Sequence, residues 1–273
     1  LRLINIKNDI EKPLAGKKFP LKVGVEAASY DIIVTTDADC KPLTSRWLRH
    51  IAIEFMQETD FVLGYAPFNK ASGFLNKIIR YDNVIYSMKY LAFSLAGMPF
   101  AATGRNMAFR KNAFLEWKGY SEKAGKILAG DDDLFINANA KKTNAEIALN
   151  KDSFMYSNAE TSWDDWTFQK MRHAKSFSHY KIHHQFVLIF LALTTFAFYC
   201  FPITFFFIPQ QAVWALTAGI FVYLMRLYTH IIICNKLNNE DLPFIIILLD
   251  LIQVLMTPVL FINTITTKIY RWK

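Results

Sequence analysis

The sequence predicts an α/β domain followed by a helical region embedded in a membrane. Short apolar runs of strand length alternate with longer segments of helical periodicity, which is the pattern of an α/β fold. Ile32, Ile33 and Val34 form the clearest strand, a β-branched run that predicts burial on both faces of a sheet. The helical region is predicted from residues 186–265, which are mostly Phe, Ile, Leu, Val and Thr.

Charge is distributed unevenly along the 273 residues, since most charged side chains precede the apolar region. The net charge of +8 lies partly in residues 170–184, directly before the first apolar run. This position favours a cytoplasmic flank beside an anionic membrane face over a nucleic-acid groove. The three cysteines provide neither a disulfide framework nor metal-ligand spacing, and so indicate a reducing compartment for the polar part.

The segments around the clearest strand predict further elements in order. Apolar spacing predicts helices over 21–28, 44–58 and 73–97 and a second strand over 60–67. Gly97 and Pro99 are expected to end the long helix. A lysine-bearing helix before a buried strand predicts half of a βαβ unit.

Two carboxylates, Asp37 and Asp39, follow the Ile32–Val34 strand. Residues two apart in a strand point to the same side, so both carboxylates are expected to face one spot where open α/β sheets bind ligands. Two hard oxygen donors suit Mg²⁺ or Mn²⁺ carrying a phosphorylated substrate. A polar turn that simply closes the strand is the alternative interpretation.

A second group of polar residues lies between 103 and 133. Gly104 permits a close backbone approach, and the neighbouring polar side chains can hydrogen-bond sugar hydroxyls or phosphate, whereas a β-bulge with solvent-facing residues is the simpler interpretation. Three aspartates at 131–133 precede a predicted helix, where the helix dipole favours carboxylates. Crowded carboxylates raise one another's pKa, which suits a general base near neutral pH.

The last third of the chain predicts an interfacial helix and membrane spans. A stripe of aromatic and basic residues runs down one helix face, on Trp163, Trp166, Lys170, His173, Phe177 and Tyr180. Three apolar runs, 186–208, 212–234 and 244–265, approach or exceed the roughly 20 residues that cross a bilayer. Asp250 and Gln253 are expected to mediate helix packing, and Arg226 to snorkel near a helix end. Three crossings would place the basic tail 268–273 outside, which favours one run being interfacial or re-entrant instead.

The order and spacing of these motifs resemble the membrane-associated family 2 glycosyltransferases, a group with cellulose, chitin, hyaluronan and poly-N-acetylglucosamine synthases and ceramide glucosyltransferases. Asp37-Ala-Asp39 resembles the Asp-x-Asp motif that binds metal and nucleotide sugar. Gly130-Asp-Asp-Asp-Leu134 resembles the motif of the catalytic base, and Gln169-Lys-Met-Arg-His173 the Gln-x-x-Arg-Trp motif that closes over the nucleotide. Thr103-Gly-Arg-Asn106 resembles the acceptor-side segment.

The resemblance implies a GT-A-like, Rossmann-like nucleotide-sugar-binding domain over 1–160, an interfacial helix over 161–185 and a transmembrane region over 186–273. The family fold begins with a strand and an acidic residue that hold uracil, so the chain is expected to lack that portion. His173 stands where the family usually has Trp. Stacking against acceptor or nucleotide is therefore expected to be weaker there.

By this resemblance, a UDP-sugar donor and a lipid or growing glycan acceptor meet at the cytoplasmic face of a membrane, most simply the bacterial inner membrane. The expected donor-site residues are Asp37, Asp39, Gln169, Arg172 and Lys18, with Asp39 and Asp37 on the metal. Lys17 is the alternative to Lys18 as the lysine that contacts the pyrophosphate. The expected acceptor-site residues are Thr103, Gly104, Arg105, Asn106 and His173.

Asp132 or Asp131 is expected to be the base that deprotonates the acceptor in an inverting transfer, while Asp133 caps or packs. Two other functions stay open at this point. One is a catalytically degenerate membrane scaffold of a polysaccharide assembly system, and the other, less favoured, is a transporter.

Overall fold

The computed structural model describes residues 3–6, 13–117, 119–201 and 212–266. The strands are β1 (Ile32–Thr35), β2 (Lys41–Pro42), β3 (Phe61–Gly64), β4 (Met107–Arg110), β5 (Ala145–Ala148) and β6 (Met155–Tyr156). The helices of the α/β part are α1 (Lys18–Ala27), α2 (Trp47–Ala52), α3 (Phe74–Leu95), α4 (Lys111–Leu115), α5 (Glu122–Lys126) and α6 (Asp133–Asn139). The helices that follow are α7 (Trp163–Ala174), α8 (Ile182–Cys200), α9 (Ala212–Lys236) and α10 (Ile246–Thr266).

A mixed sheet forms the centre of the α/β part, with the strand order β1-β4-β3-β5. Strand β4 is antiparallel to β1 and β3, whereas β3 and β5 are parallel. All four residues of β3 are buried. In β1, by contrast, Ile32 is 37% exposed, and β4 is the strand that pairs with it among the described residues. The predicted strand is therefore present, but its predicted burial on both faces is wrong, because its residues are exposed or only partly buried.

Helix α3 packs along the sheet and confirms the long helix predicted over 73–97. Val84 and Tyr90 on this helix are fully buried, and the Tyr90 hydroxyl donates a hydrogen bond to the Gly64 carbonyl at 2.7 Å. The chain leaves the helix at Gly97, whose φ of +82° lies in the left-handed region that favours glycine. The hydrogen bond thereby holds α3 against the carboxyl end of β3.

The helix predicted over 44–58 is shorter in the structure, where α2 ends at Ala52. The following segment forms turns that a side chain from β4 holds in place. Arg110 donates from its guanidinium to the carbonyl oxygens of Thr59 at 2.8 Å and Met56 at 2.9 Å. These carbonyls therefore have a partner outside any helix, and the local apolar spacing does not reveal that partner.

Three helices are long and apolar enough to cross a membrane, and they cover Ile182–Cys200, Leu216–Lys236 and Pro243–Thr264. Most of their side chains face outwards, since at most 22% of the apolar window in any of them is buried. The predicted hairpin at 209–211 and the basic tail at 268–273 lie outside the described residues. The three predicted apolar runs thus correspond to helices, with the first beginning four residues earlier than predicted.

A charged contact joins these three helices. Arg226 on α9 donates twice to the Asp250 carboxylate on α10, with both N–O distances at 2.8 Å, and Tyr199 on α8 donates to the same carboxylate. The prediction that Arg226 snorkels towards water is therefore wrong, because its guanidinium is paired inside the helical region. The expected packing role of Asp250 agrees with this contact.

Helix α7 lies between the α/β part and α10. Trp166 is buried, and the Lys170 ammonium contacts the Asp82 carboxylate of α3 at 2.8 and 3.0 Å. The helix begins at an N-cap in which the Ser162 hydroxyl accepts the Asp165 N–H at 3.1 Å. A 3₁₀ helix, Lys175–His179, continues from it. This arrangement holds α7 against both parts of the molecule.

Candidate active site

The turn after β1 carries the first two predicted site residues. Strand β1 ends at Thr35, and the Cys40 N–H donates to the Asp37 carbonyl at 3.0 Å. Asp39 is exposed, whereas Asp37 is partly buried and forms an ion pair with Lys17. Because both carboxylates belong to a turn, the strand alternation used in the prediction does not decide their directions. The structure instead places Asp37 beside a cation at the start of α1.

Lys18, predicted to contact the donor, points into the protein. Its side chain is 0% exposed, and its ammonium donates to the carbonyl of Ile127 at 2.7 Å and to that of Ala129. Burial lowers its pKa, an effect that the charges of the nearby 131–133 cluster oppose. Lys18 therefore supports the loop before the acidic cluster and is not presented to a ligand. Its neighbour Lys17 is the lysine of this pair that lies beside Asp37.

The acidic cluster lies at the start of α6, and Gly130 sets the backbone conformation that leads into it. Gly130 has φ of +89°, and a Cβ at this position would lie 2.5 Å from a methyl carbon of Leu134. Another residue would be strained at this φ and would have to displace the Leu134 side chain. Asp132 is the N-cap of α6, with one carboxylate oxygen accepting the Asp133 N–H at 2.8 Å. Its other oxygen accepts the Gly104 N–H at 2.5 Å.

The two neighbours of Asp132 differ in environment. Asp133 is buried and accepts hydrogen bonds from the hydroxyl groups of Tyr180, at 2.6 Å, and Ser176. This agrees with its expected packing role, and burial beside Asp132 raises its pKa. Asp131 is only partly buried. Desolvation and the charge of Asp132 raise the pKa of Asp131 to about 6, against the opposing effect of Lys17 and Lys18.

The segment 103–106 divides into residues near the cluster and a residue in the core. Gly104 contacts Asp132, as described above, and Thr103 is partly exposed. Arg105 donates to the Ser157 hydroxyl at 2.6 Å and to the Asn83 side chain at 3.1 Å, and it stacks on the Phe68 ring. These contacts fix its guanidinium from three directions.

Asn106 was predicted to bind the acceptor, but its position contradicts that role. It is 0% exposed, and its amide donates to the carbonyls of Tyr65 and Ser153, both at 2.8 Å. Its side-chain oxygen accepts from the Trp47 indole N–H at 3.0 Å. All these hydrogen bonds lie inside the protein. Asn106 therefore connects the start of β4 to the segments that contain its three partners.

Two closing-motif residues, Gln169 and Arg172, lie on a different side of α7 from Lys170, whereas His173 lies between these two sides. Gln169 and Arg172, three residues apart, are partly buried, and His173 is exposed. The Arg172 guanidinium is close enough to Asp131 and Asp37 that both carboxylates oppose the desolvation that lowers its pKa. Its Nη2 atom lies 3.5 Å from the His173 ring. The helix therefore brings a cation to the two acidic segments.

The structure thus brings Lys17, Asp37, Asp131 and Arg172 close enough for their charges to interact, with Asp132 and Gly104 beside them. These residues define the candidate catalytic cleft. The sequence left Lys17 and Lys18 as alternatives and did not reveal the hydroxyl groups that hold Asp133. Val25, seven residues after Lys18, is buried on the same side of α1. That spacing is a sequence signal that could have assigned Lys18 to the core and Lys17 to the cleft.

The donor set on the β1 turn fits a divalent cation of the predicted kind. Within the described residues, no three His, Cys, Asp or Glu side chains are grouped as a metal site. Mg²⁺ and similar ions, however, are usually held by one or two carboxylates together with substrate phosphates. Asp37 and Asp39 supply that number of hard oxygen donors on a turn at the cleft.

Comparison with known sequences shows a glycosyltransferase. The model of Glycosyl transferase family 21 matches residues 14–273, nearly the whole chain, and the chain belongs to that family. The predicted class of enzyme, a transferase of sugars, is thereby confirmed. The narrower resemblance to the polysaccharide synthases of family 2 is not confirmed by this match. None of the proteins of curated function matches the chain.

Several solved structures also match. One is the mannosyltransferase PcManGT from Pyrobaculum calidifontis in complex with GDP-Man and Mn²⁺, at 16% sequence identity and a TM-score of 0.44. The alignment covers 88% of this chain and 66% of that enzyme, so the chain spans about two thirds of its length.

Proposed function

We propose that the protein is an inverting glycosyltransferase that moves a sugar from a UDP-sugar to a lipid or growing glycan at the cytoplasmic face of a membrane. The observation that carries the proposal is the position of Asp131. Its carboxylate, with a pKa raised to about 6, lies beside Arg172 and Lys17 in one cleft. A base tuned near neutrality, next to cations suited to a diphosphate, is what this transfer needs.

The donor occupies the side of the cleft formed by the β1 turn, α1 and α7. Arg172 binds a phosphate of the donor with its planar guanidinium, and Gln169 orients it from one turn away. Of the two lysines expected at the pyrophosphate, Lys17 takes that role. Asp39, supported by Asp37, would hold Mg²⁺ or Mn²⁺ on the donor. When bound, such an ion neutralises the negative charge that develops on the leaving diphosphate.

The acceptor occupies the side formed by the 103–106 segment, with Thr103, Gly104 and Arg105, and by His173. Asp131 takes the proton of the acceptor hydroxyl as the oxygen attacks the anomeric carbon. The bond from that carbon to the diphosphate oxygen breaks, and the diphosphate leaves with the bonding electrons. Attack on the face opposite the leaving group inverts the configuration at the anomeric carbon.

Asp132 supports this chemistry as a positioning residue in the proposal. Its two carboxylate oxygens already accept backbone N–H groups of Gly104 and Asp133. It joins the acceptor segment to the start of α6 and raises the pKa of Asp131 by charge. Of the two predicted candidates, Asp131 is therefore the preferred base.

The experiment that tests the function uses the full chain reconstituted in lipid vesicles, with radiolabelled UDP-sugars and, for comparison, GDP-sugars. We expect sugar transfer to a lipid extract with a UDP-sugar and added Mg²⁺ or Mn²⁺. Asp131→Asn should lower transfer by roughly 10²–10⁴-fold, the usual contribution of a general base. Asp31→Asn, at an exposed carboxylate before β1, is the matched control and should retain activity. Absence of transfer from every donor, with folded protein, would contradict the proposal.

A further inference from the structure

A second cavity lies on another side of α7, between α3, α7 and α10. It has a volume of about 240 Å³, and its lining includes Asp82, Lys89, Trp166, Lys170, Gln253 and Met256. Polar and charged groups come from α3 and α7, whereas α10 adds mainly apolar side chains that extend to Leu260 and Phe261. The cavity therefore has a charged end and an apolar end, and the apolar end follows a helix able to cross a membrane.

Lys89 is the group at the charged end that the structure leaves without a close acceptor. Lys170 already contacts both carboxylate oxygens of Asp82, at 3.0 and 2.8 Å. Lys89 is half-buried, and across the described residues no hydrogen bond or ion pair joins its ammonium to another group. Desolvation lowers its pKa, opposed by the charge of Asp82. With two lysines and one aspartate, this end carries a net charge of +1 and complements an anion.

Two tyrosines link the cavity to the acidic cluster at the start of α6. Tyr86 lines the cavity and interacts with Tyr180, whose hydroxyl donates to Asp133 at 2.6 Å. Asp133 is buried, whereas the charge of Asp131 interacts with Lys17 and Arg172, which do not line the cavity. The cavity lining is therefore distinct from the residues proposed for catalysis.

We propose that this cavity binds an anionic phospholipid of the surrounding membrane, with its phosphate on Lys89 and its acyl chains along α10. The amphiphilic lining matches a phospholipid, because Lys89 complements a phosphate and the apolar side chains of α10 complement acyl chains. Bound there, the lipid contacts a different side of the helix that carries Gln169 and Arg172. It thereby fixes α7 against α3 and α10 and supports the donor site without reacting itself. Lipid binding stands independently of the proposed function, whereas this support of the donor site rests on it.

Lipid retention by the full chain tests the site without any need for catalysis. The protein, purified in a mild detergent, is titrated with phosphatidylglycerol or phosphatidylcholine and analysed by native mass spectrometry. We expect one phosphatidylglycerol to bind in preference to phosphatidylcholine, and Lys89→Gln to weaken that binding about tenfold through loss of a charge-assisted bond. Lys77→Gln is the matched control, because it removes the same charge from an exposed position on α3.

A second measurement locates the lipid. In a Trp214→Phe background, which removes an indole 81% exposed on α9, phosphatidylglycerol with brominated acyl chains should quench the fluorescence of Trp166, which lines the cavity. Adding Trp166→Phe should remove most of that quenching. Equal binding of both lipids, or equal loss in Lys89→Gln and Lys77→Gln, would overturn the site. If inorganic phosphate at the same concentration as the lipid displaces it, the site binds free phosphate, and the proposal of a membrane lipid as its ligand is overturned.

Activity assays then separate an accessory lipid from a substrate. Vesicles with phosphatidylglycerol should support more sugar transfer than vesicles of phosphatidylcholine alone, and Lys89→Gln should lose that difference while Lys77→Gln keeps it. A product in which the bound phospholipid itself carries the sugar would overturn the accessory role. If no donor is used at all, the proposed function fails, whereas the binding and quenching results still decide the site.

Discussion

The backbone N–H of Gly104 donates to a carboxylate oxygen of Asp132 at 2.5 Å, joining the segment before β4 to the start of α6. This contact crosses from the proposed acceptor side of the cleft to the acidic cluster. A Cβ added at Gly104 would lie 3.3 Å from the same oxygen. A side chain here would therefore crowd the Asp132 carboxylate and require it to shift by a few tenths of an ångström.

Gly104→Ala should lower the turnover number about tenfold with little change in thermal stability. The added methyl group pushes the Asp132 carboxylate away, which disturbs the neighbouring Asp131, while the KM for the donor stays within about twofold. Steady-state kinetics in vesicles and a melting curve measure these effects. Gly24→Ala is the control, since nothing lies within 4 Å of a Cβ there. Equal kinetic loss in both variants would show that the contact with Asp132 is not the cause.

The raised pKa of Asp131 predicts a pH dependence of transfer. A general base must be unprotonated, so kcat/KM should rise with pH and level off above an apparent pKa of about 6. At lower pH the carboxylate is protonated and cannot act as a base, so kcat/KM falls as pH falls. In Asp131→Asn, the remaining activity should be low and should not rise with pH near 6. In Asp132→Asn, kcat/KM should still rise with pH, but at a shifted pH. If kcat/KM of Asp131→Asn still rises with pH near 6, the base is another group.

Lys17 and Lys18 are adjacent and should give opposite results when replaced. Lys17→Met removes an exposed partner of Asp37, so the KM for the donor should rise several-fold with little effect on stability. Lys18→Met leaves the buried carbonyls of Ile127 and Ala129 without a donor and should lower the free energy of unfolding by about 1–3 kcal/mol. Donor kinetics and urea denaturation of the purified protein separate the two effects. Loss of stability in Lys17→Met instead would reverse the assignment.

Local patterns predicted the segments of the site but not all the side chains that face it. The positions of Asp37 after a strand, Asp131 before a helix and Arg172 on α7 each depend on a short stretch of sequence. The choice between Lys17 and Lys18 depends on the rotation of α1, which adjacent lysines do not reveal on their own. The rest of the site is decided by tertiary contacts.

Asn106 and strand β1 also show that local sequence patterns do not reveal tertiary contacts. Asn106 is held by Trp47, which lies 59 residues earlier, and by two carbonyls from other elements. No periodicity within residues 103–106 encodes those partners. Similarly, the β-branched run at Ile32 indicates a strand but not the number of neighbours that the strand has in the sheet.

The pair between Arg226 and Asp250 predicts a strong dependence of folding on one contact among the membrane-type helices. Arg226→Met should destabilise the protein by about 3–5 kcal/mol, because the Asp250 carboxylate stays buried without its cation. Asp250→Asn should be damaging for the converse reason. The double variant, Arg226→Met with Asp250→Asn, removes both charges and should recover much of the loss.

Thermal unfolding in detergent measures all three variants. The control is Lys151→Met, which breaks an exposed pair with Glu240 at 3.6 Å and should shift stability by less than about 1 kcal/mol. Recovery in the double variant would identify the unpaired charge as the cause of instability. If the two single losses simply add, the helices are instead stabilised through separate contacts of each side chain, and the ion pair is not what joins α9 to α10.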